Sequence, residues 1–460
     1  MAKAKARKSA KNELQAINPH AAGIDVGSKF HLVAVSPEHD PDPVRKFNSF
    51  TTDLYRLADW LKTVGTTTIA MESTGVYWIP VFEILESRGF EVILVNAREA
   101  KRVPGRKTDV KDAQWIQQLH QYGLLSASFQ PGQKIASLRS YMRHRERLTE
   151  YAAAHIQHMQ KALMQMNLQL HHVLSDITGD TGMRIIRAII EGERSASKLA
   201  AYRSDRCKES EETIAAALTG NYRPEHVFSL KQAVALYDFY QEQINECDQE
   251  IEKALDALNV DGKAPSGPLP EARYKRKQKK EPAIPIREKL FALTGVDTTQ
   301  IYGIGPHIAL RLVAECGTDM TKWPTSKHFT SWLTLSPGNK ISGGKVLSSR
   351  TRRTKNRATT LLRIAAVNIG KTQTALGAFY RRLAARIGKA KAVTATARKL
   401  AVLFYTLMRY GKEYVEPGAE YYEEQYKKRL LRALTRKAAS MGYNLVQKQQ
   451  DPQHAMSAVS

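Results

Sequence analysis

Two short apolar runs near the start of the chain each carry a carboxylate. Asp25 lies in Ala21-Ala22-Gly23-Ile24-Asp25-Val26-Gly27-Ser28-Lys29, and Glu72 in Ile69-Ala70-Met71-Glu72-Ser73-Thr74-Gly75. The flanking residues branch as buried strands do. A charge in such a strand is costly unless it is paired or bound to a cation. The fold must therefore bring both strands to a polar site. A third segment, Lys107-Thr108-Asp109-Val110-Lys111-Asp112-Ala113, adds two acids at i and i+3, a spacing that shares one helix face. Four carboxylates of this kind suit a hard divalent ion, Mg²⁺ or Mn²⁺, which readily bridges phosphates. Singly, each acid has a plainer reading: Asp109 and Asp112 as capping and surface charges, Glu72 as an isolated buried acid.

The segments around these acids alternate in type. Residues 21–36 read as a strand, a Gly27-Ser28 turn and a second strand. Leu54, Leu57, Ala58 and Leu61 place a helix over 53–64. A strand over 66–71, a helix over 81–87 ending at Arg88-Gly89, and a strand over 91–95 follow. Thr108 can cap a helix running to about Tyr122, with Gly123 past its end. This alternation predicts an α/β sheet layer. Beyond it the pattern turns helical and long. Leu138, Met142, Arg145, Leu148, Ala152 and Ile156 keep helical spacing within 134–174, and Leu230–Leu258 reads as a second long helix with Ser229 as a candidate cap. The pair fits either a coiled-coil-like arm that joins protomers or the helices of an ordinary bundle. Residues 259–287, with the basic run Arg273-Tyr274-Lys275-Arg276-Lys277-Gln278-Lys279-Lys280, cannot build a core and read as a linker.

Charge narrows the partners. The chain has 460 residues, 42% of them hydrophobic, enough for two or three domains with real cores. Lys and Arg number 70 against 45 Asp and Glu, a net charge of +25 that favours DNA or RNA. From Thr321 to Lys412 there is no Asp or Glu, yet there are 20 Lys or Arg, which predicts a nucleic-acid-binding C-terminal domain. No uncharged apolar run reaches 18 residues, which argues against a membrane span. The opening MAKAKARKSAK lacks an apolar core and reads as a phosphate-contacting arm or a solubilising tail, not a signal peptide. Cys207, Cys247 and Cys316 show no CxxC spacing and fit a reducing cytoplasm.

Two further motifs lie in the basic half. Ile301-Tyr302-Gly303-Ile304-Gly305-Pro306 before a helical run resembles a helix-hairpin-helix, in which Gly303 and Gly305 would let the backbone approach a phosphate; the plain alternative is a helix–turn–helix packing unit. Leu335-Ser336-Pro337-Gly338-Asn339-Lys340-Ile341-Ser342-Gly343-Gly344-Lys345 is followed by Ser348, Ser349, Arg350, Arg352, Arg353, Lys355 and Arg357. Ser342 beside paired glycines can approach a phosphodiester, and the neighbouring cations can stabilise phosphate charge. Serine is a poor nucleophile unaided, so the composition also fits a flexible basic loop.

The four acids, on strand, strand and helix, resemble the RNase H-like fold of RuvC-type nucleases. Taken in order, the GIDVGS strand, MESTG, KTDVKDA, a helical arm, GIGP and the Pro–SGGK–Arg segment resemble the DEDD transposases of insertion-sequence family 110. The large helical arm is closer to that family's 1111 subgroup. The resemblance spans residues 20 to about 415 and implies a RuvC-like domain and a serine-containing transposase domain acting together. It also implies a structured non-coding RNA of the same element that pairs with target and donor DNA. Carried over, Asp25, Glu72, Asp109 and Asp112 would bind the metal, and Ser342 would form a phosphoserine link to a DNA strand. The family often has another hydroxyl residue where this chain has Ile341, which keeps Ser336, Ser348 and Ser349 as candidates.

The expected organisation is a basic tail over 1–19, an α/β RuvC-like domain over 20–128 and a helical arm over 129–258. The basic linker over 259–287 leads to a mostly α-helical transposase domain over 288–415 and a basic tail over 416–460. The expected protein is a cytoplasmic, nucleoid-associated homo-oligomer, dimer or tetramer, acting on target and donor DNA. Lys340, Lys345, Arg350, Arg352, Arg353, Lys355 and Arg357, with Gly303 and Gly305, are its expected nucleic-acid contacts. A RuvC-like Holliday-junction nuclease would need the acids but not Ser342, and a non-catalytic nucleic-acid-binding protein would need neither.

Overall fold

The computed structural model describes residues 15–73, 75–95, 109–259, 265, 267–273, 281–354, 356–411 and 416–446. The first fourteen residues, Thr108, most of the basic run 273–280 and Lys355 lie outside them, as does the side chain of Asp109. The chain divides into two compact units, Met1–Gln130 and Pro131–Ser460.

The first unit is a five-stranded sheet. Its strands are β1 (Ala21–Val26), β2 (Phe30–Ala34), β3 (Val44–Asn48), β4 (Thr68–Glu72) and β5 (Glu91–Val95), in the order β3-β2-β1-β4-β5. β1 pairs antiparallel with β2, and β2 with β3, whereas β1–β4 and β4–β5 are parallel. This is the RNase H-like arrangement. One face carries Ile24, Val33, Ile69, Met71 and Leu94, buried against Leu54, Leu57 and Leu61 of α1 (Thr51–Thr63) and Val81 and Leu85 of α2 (Trp78–Ser87). Helix α2 starts three residues before the predicted 81 because Pro80 fits a first turn, where its missing N–H is not needed. The opposite face carries Ala70 and Val95, which pack on Ile116 of α3 (Asp109–Gln121).

Among its described residues, the second unit is helical apart from one hairpin. Two long helices, α4 (Gln133–Gln165) and α5 (Pro224–Asn259), pack on each other through Leu148, Ala152, Ile244 and Cys247. Their apolar seam is thus filled within one chain. The predicted cap Ser229 sits inside α5, where its hydroxyl donates to Glu225 O at 2.9 Å. Short helices between Leu170 and Ala217 close a core around Met159, Leu163, Ile185 and Leu230. The remaining helices used below are α6 (Pro306–Cys316), α7 (Arg357–Ile369), α8 (Ala375–Ile387), α9 (Lys389–Tyr410) and α10 (Gly418–Ser440). No described helix is long and apolar enough to cross a membrane.

Arg145 pins this unit. It lies on the predicted apolar stripe of α4, is 5% exposed, and donates through Nε at 2.5 Å to Asp248, which is 4% exposed. The other carboxylate oxygen of Asp248 accepts from Ala283 N at 3.0 Å. Removing one member of a buried pair leaves the other charge desolvated, at about 3–5 kcal/mol. Asp248→Ala is therefore expected to lower the melting temperature by at least about 5 °C. A calorimetric shift under about 1 °C would mean that the pair contributes nothing net.

Candidate active site

The sheet register places the first two acids. In the parallel β1–β4 pair, Gly23 faces Ala70 and Ile24 faces Met71. One step further along, at the carboxyl ends of both strands, stand Asp25 and Glu72. Both share the face of Gly23 and Ala70, since side chains alternate. Glu72 is 7% exposed and Asp25 half-buried. The carboxyl ends of parallel strands are where α/β sheets place their sites.

Helix α3 covers that same face. It lies directly on Gly23: a Cβ there would stand 2.3 Å from Gln117 N and 2.5 Å from Ala113 O, so only glycine permits the approach. Farther along α3, the Gln117 side chain donates to Ala21 O at 3.4 Å, and His120 Nε2 stands 2.9 Å from Thr68 Oγ1. Burial lowers the His120 pKa, which favours the neutral ring at that contact. These contacts orient α3 antiparallel to β1, with its C-terminus at the start of the sheet strands. Its first turn, with half-buried Asp112, reaches toward the strand ends that carry Asp25 and Glu72. Asp109 is the first residue of the helix.

The donor set along this edge is carboxylate oxygen throughout, which suits a hard divalent ion and no soft one. Among the described residues no three His, Cys, Asp or Glu side chains close into a metal-sized group. Asp109's side chain, the fourth ligand of the expected set, is not among those residues. Asp25, Glu72 and Asp112 each have partners of their own.

The predicted serine lies at the tip of a hairpin in the second unit. β6 (Lys340–Ser342) and β7 (Lys345–Ser348) pair antiparallel, with Ser342 opposite Lys345. The two residues between them, Gly343 and Gly344, have φ of 53° and 75°. Two consecutive positive φ angles make the tight turn whose twist suits a hairpin, and glycine adopts them without strain. Ser342, Lys340 and Lys345 are exposed, as are Ile341 (61%) and Leu347 (69%). Ser336 Oγ lies 3.0 Å from Thr330 Oγ1, and Ser348 Oγ accepts from Arg350 N at 3.4 Å, while Ser349 is exposed.

The basic residues after the hairpin divide into two groups. Lys340, Lys345, Arg350 and Arg353 are exposed, and none pairs with a carboxylate among the described residues. Arg352 donates to Ser331 O at 3.0 Å, and Arg357 pairs with Glu146 of α4, which also binds Arg311. The sequence reading did not single out Glu146. Gly303 lies against the backbone of Ala365 in α7, and Gly305 is the buried residue that opens α6.

Residues 22–168 match the family model for DEDD-type IS110 transposases, described as "Transposase". Residues 298–381 match a second model, described as "Transposase IS116/IS110/IS902 family". Together the two spans cover half of the chain. No curated protein matches it.

Proposed function

The chain belongs to the IS116/IS110/IS902 family of transposases, and on that premise we propose that it is an RNA-guided DNA transposase or recombinase of the 1111 subgroup, with a carboxylate metal site and Ser342 as nucleophile. The observation that carries this reading is the register. Asp25 and Glu72 stand side by side at the carboxyl ends of β1 and β4, on the face that α3 covers with Asp112. Asp25, Glu72, Asp109 and Asp112 would hold Mg²⁺ or Mn²⁺. A divalent ion bound there supplies positive charge where phosphate charge develops.

The hydroxyl of Ser342 attacks the phosphorus of a DNA strand. The P–Oγ bond forms, the bond from phosphorus to the leaving sugar oxygen breaks, and the serine proton passes to that oxygen. One ester replaces another, so a second sugar hydroxyl can reverse the step and rejoin strands without ATP. Lys340, Lys345, Arg350 and Arg353 offer backbone contacts that carry no sequence information. Sequence is then read by pairing with an element-encoded guide RNA, and the protein reads shape. Arg352 and Lys355 would extend that surface, whereas buried Gly305 and Gly303, packed on Ala365, shape the turn before α6, and Arg357 is paired with Glu146. Two duplexes must each be cut, which calls for a dimer or tetramer acting in the cytoplasm.

The test is strand exchange between a donor and a target duplex by purified protein, with and without RNA transcribed from the non-coding DNA flanking the gene. Joined products are expected only with both RNA and Mg²⁺. Equal exchange without RNA would remove the guide, and cutting of branched DNA without joining would favour the Holliday-junction nuclease.

A further inference from the structure

The C-terminal helices enclose a second candidate site, away from the hairpin. Helices α8, α9 and α10 surround a cavity of about 470 Å³, within the roughly 300–1,000 Å³ of small-ligand sites. Four cations line it, Arg382, Arg386, Lys399 and Arg429, and among the described residues no carboxylate does. Four aromatic rings line it too, Phe379, Tyr421, Tyr422 and Tyr426.

Rings and cations are interleaved. The Arg382 guanidinium lies 3.6 Å from the Tyr426 ring centre, and Lys399 Nζ 4.8 Å from that of Phe379. Phe379 and Tyr422 meet edge to face at 6.1 Å. Arg382 is held from outside the cavity by Glu423, which spares Arg386, Lys399 and Arg429 for an incoming anion. Tyr421 is 51% exposed, and Arg386, Lys399 and Arg429 are exposed beside it, so the rim presents one open ring and three cations.

Each ligand class uses these groups differently. A bare phosphate would not use the rings. An apolar ligand would not use three unneutralised cations. A nucleotide uses both, because a base stacks on tyrosine faces while its phosphate meets Arg and Lys. Lys389 and Lys391, exposed in the first turn of α9, continue the positive charge away from the rim, which suits a strand more than a free nucleotide.

We propose that this cavity takes an unstacked nucleotide of a single-stranded nucleic acid, with the base on Tyr421 and Tyr422 and the phosphate among Arg386, Lys399 and Arg429. The proposal rests on the reading above only in that the protein handles nucleic acid. It assigns α10, which lies outside both family matches, to grip an unpaired stretch of that nucleic acid.

Fluorescence anisotropy on the full chain tests it, with oligo-dT and oligo-rU twelve-mers, a twelve-base-pair duplex and uridine monophosphate as probes. Tyr421→Ala and Arg429→Gln are each expected to weaken single-strand binding by about tenfold, the usual order for a lost base stack, with duplex affinity within about twofold. Tyr421→Phe keeps the stacking face and should bind as wild type. Unchanged single-strand affinity in both loss variants, with wild-type binding intact, overturns the cavity and leaves the transposase reading standing. Binding of the mononucleotide as tight as that of the twelve-mers overturns the strand in favour of a small-molecule site. A wild-type protein that binds no single-stranded probe overturns this proposal, and the guided strand-exchange assay then decides the transposase reading separately.

Discussion

Asp25→Asn and Glu72→Gln are each expected to reduce DNA strand cleavage by about 10³-fold or more, equivalent to roughly 4 kcal/mol of transition-state stabilisation. Both substitutions keep the side-chain shape and remove only the charge. Asp25 and Glu72 sit in the register that also sets β1 against β4, so a bulkier change would confound folding with chemistry. The amides cannot hold a hard cation as carboxylates do, and the loss should therefore fall on the reaction. Nucleic-acid affinity should stay within about threefold, because the exposed cations lie in the basic segment of the second unit. A second readout is thermal. Ligand that binds only the folded state raises the melting temperature. Added Mg²⁺ or Mn²⁺ should therefore raise that of the wild type and not that of either variant. Near-normal cleavage by Asp25→Asn would sink the four-acid site, and an equal metal-induced shift in wild type and variants would place the ion elsewhere.

Four of the five strands were legible in the sequence because each is short, branched and bounded by turn residues; β3 was not, because Val44-Arg45-Lys46-Phe47-Asn48 carries two cations and no fully buried residue. The parallel pairing of β1 with β4 follows from two antiparallel steps that leave β3 parallel to β1, and from α1, the crossover that joins β3 to a parallel β4. Asp25 and Glu72 could be flagged because a charge in a buried strand conflicts with its surroundings, and Asp112 because its spacing follows the helix. Contacts between distant positions could not be read. Arg145 occupies a position that helical spacing marks as apolar, and its partner Asp248 lies 103 positions away. The acid-free stretch from Thr321 to Lys412 overstates its open charge for the same reason. Arg357 and Arg382 within it are neutralised by Glu146 and Glu423, which lie before and after it in the chain. The cavity among α8, α9 and α10 was also illegible, because its rings and cations come from three helices and show no linear motif.

Ser342→Ala is expected to abolish both strand cleavage and any covalent protein–DNA adduct, while leaving RNA and DNA affinity within about twofold. The hairpin explains why binding should survive. The turn is set by Gly343 and Gly344, the pairing of Ser342 with Lys345 is a backbone matter, and the exposed hydroxyl supports no core. Alanine therefore removes the nucleophile and little else, and the cations beside it stay in place. A suicide DNA substrate that traps the intermediate should give a slow-migrating adduct on a denaturing gel with wild type and Mg²⁺, and none with the variant. Chelation of the metal should remove the adduct from wild type as well. An adduct that persists in Ser342→Ala would make another residue the nucleophile, and Ser348, Ser349 and Ser336 would be tested in that order. Ser336 comes last because its hydroxyl is already engaged by Thr330. If DNA is cut and no adduct forms under any condition, water is the attacking group. The acids then act alone, as they would in a Holliday-junction nuclease, and the serine hairpin serves only to hold the DNA backbone.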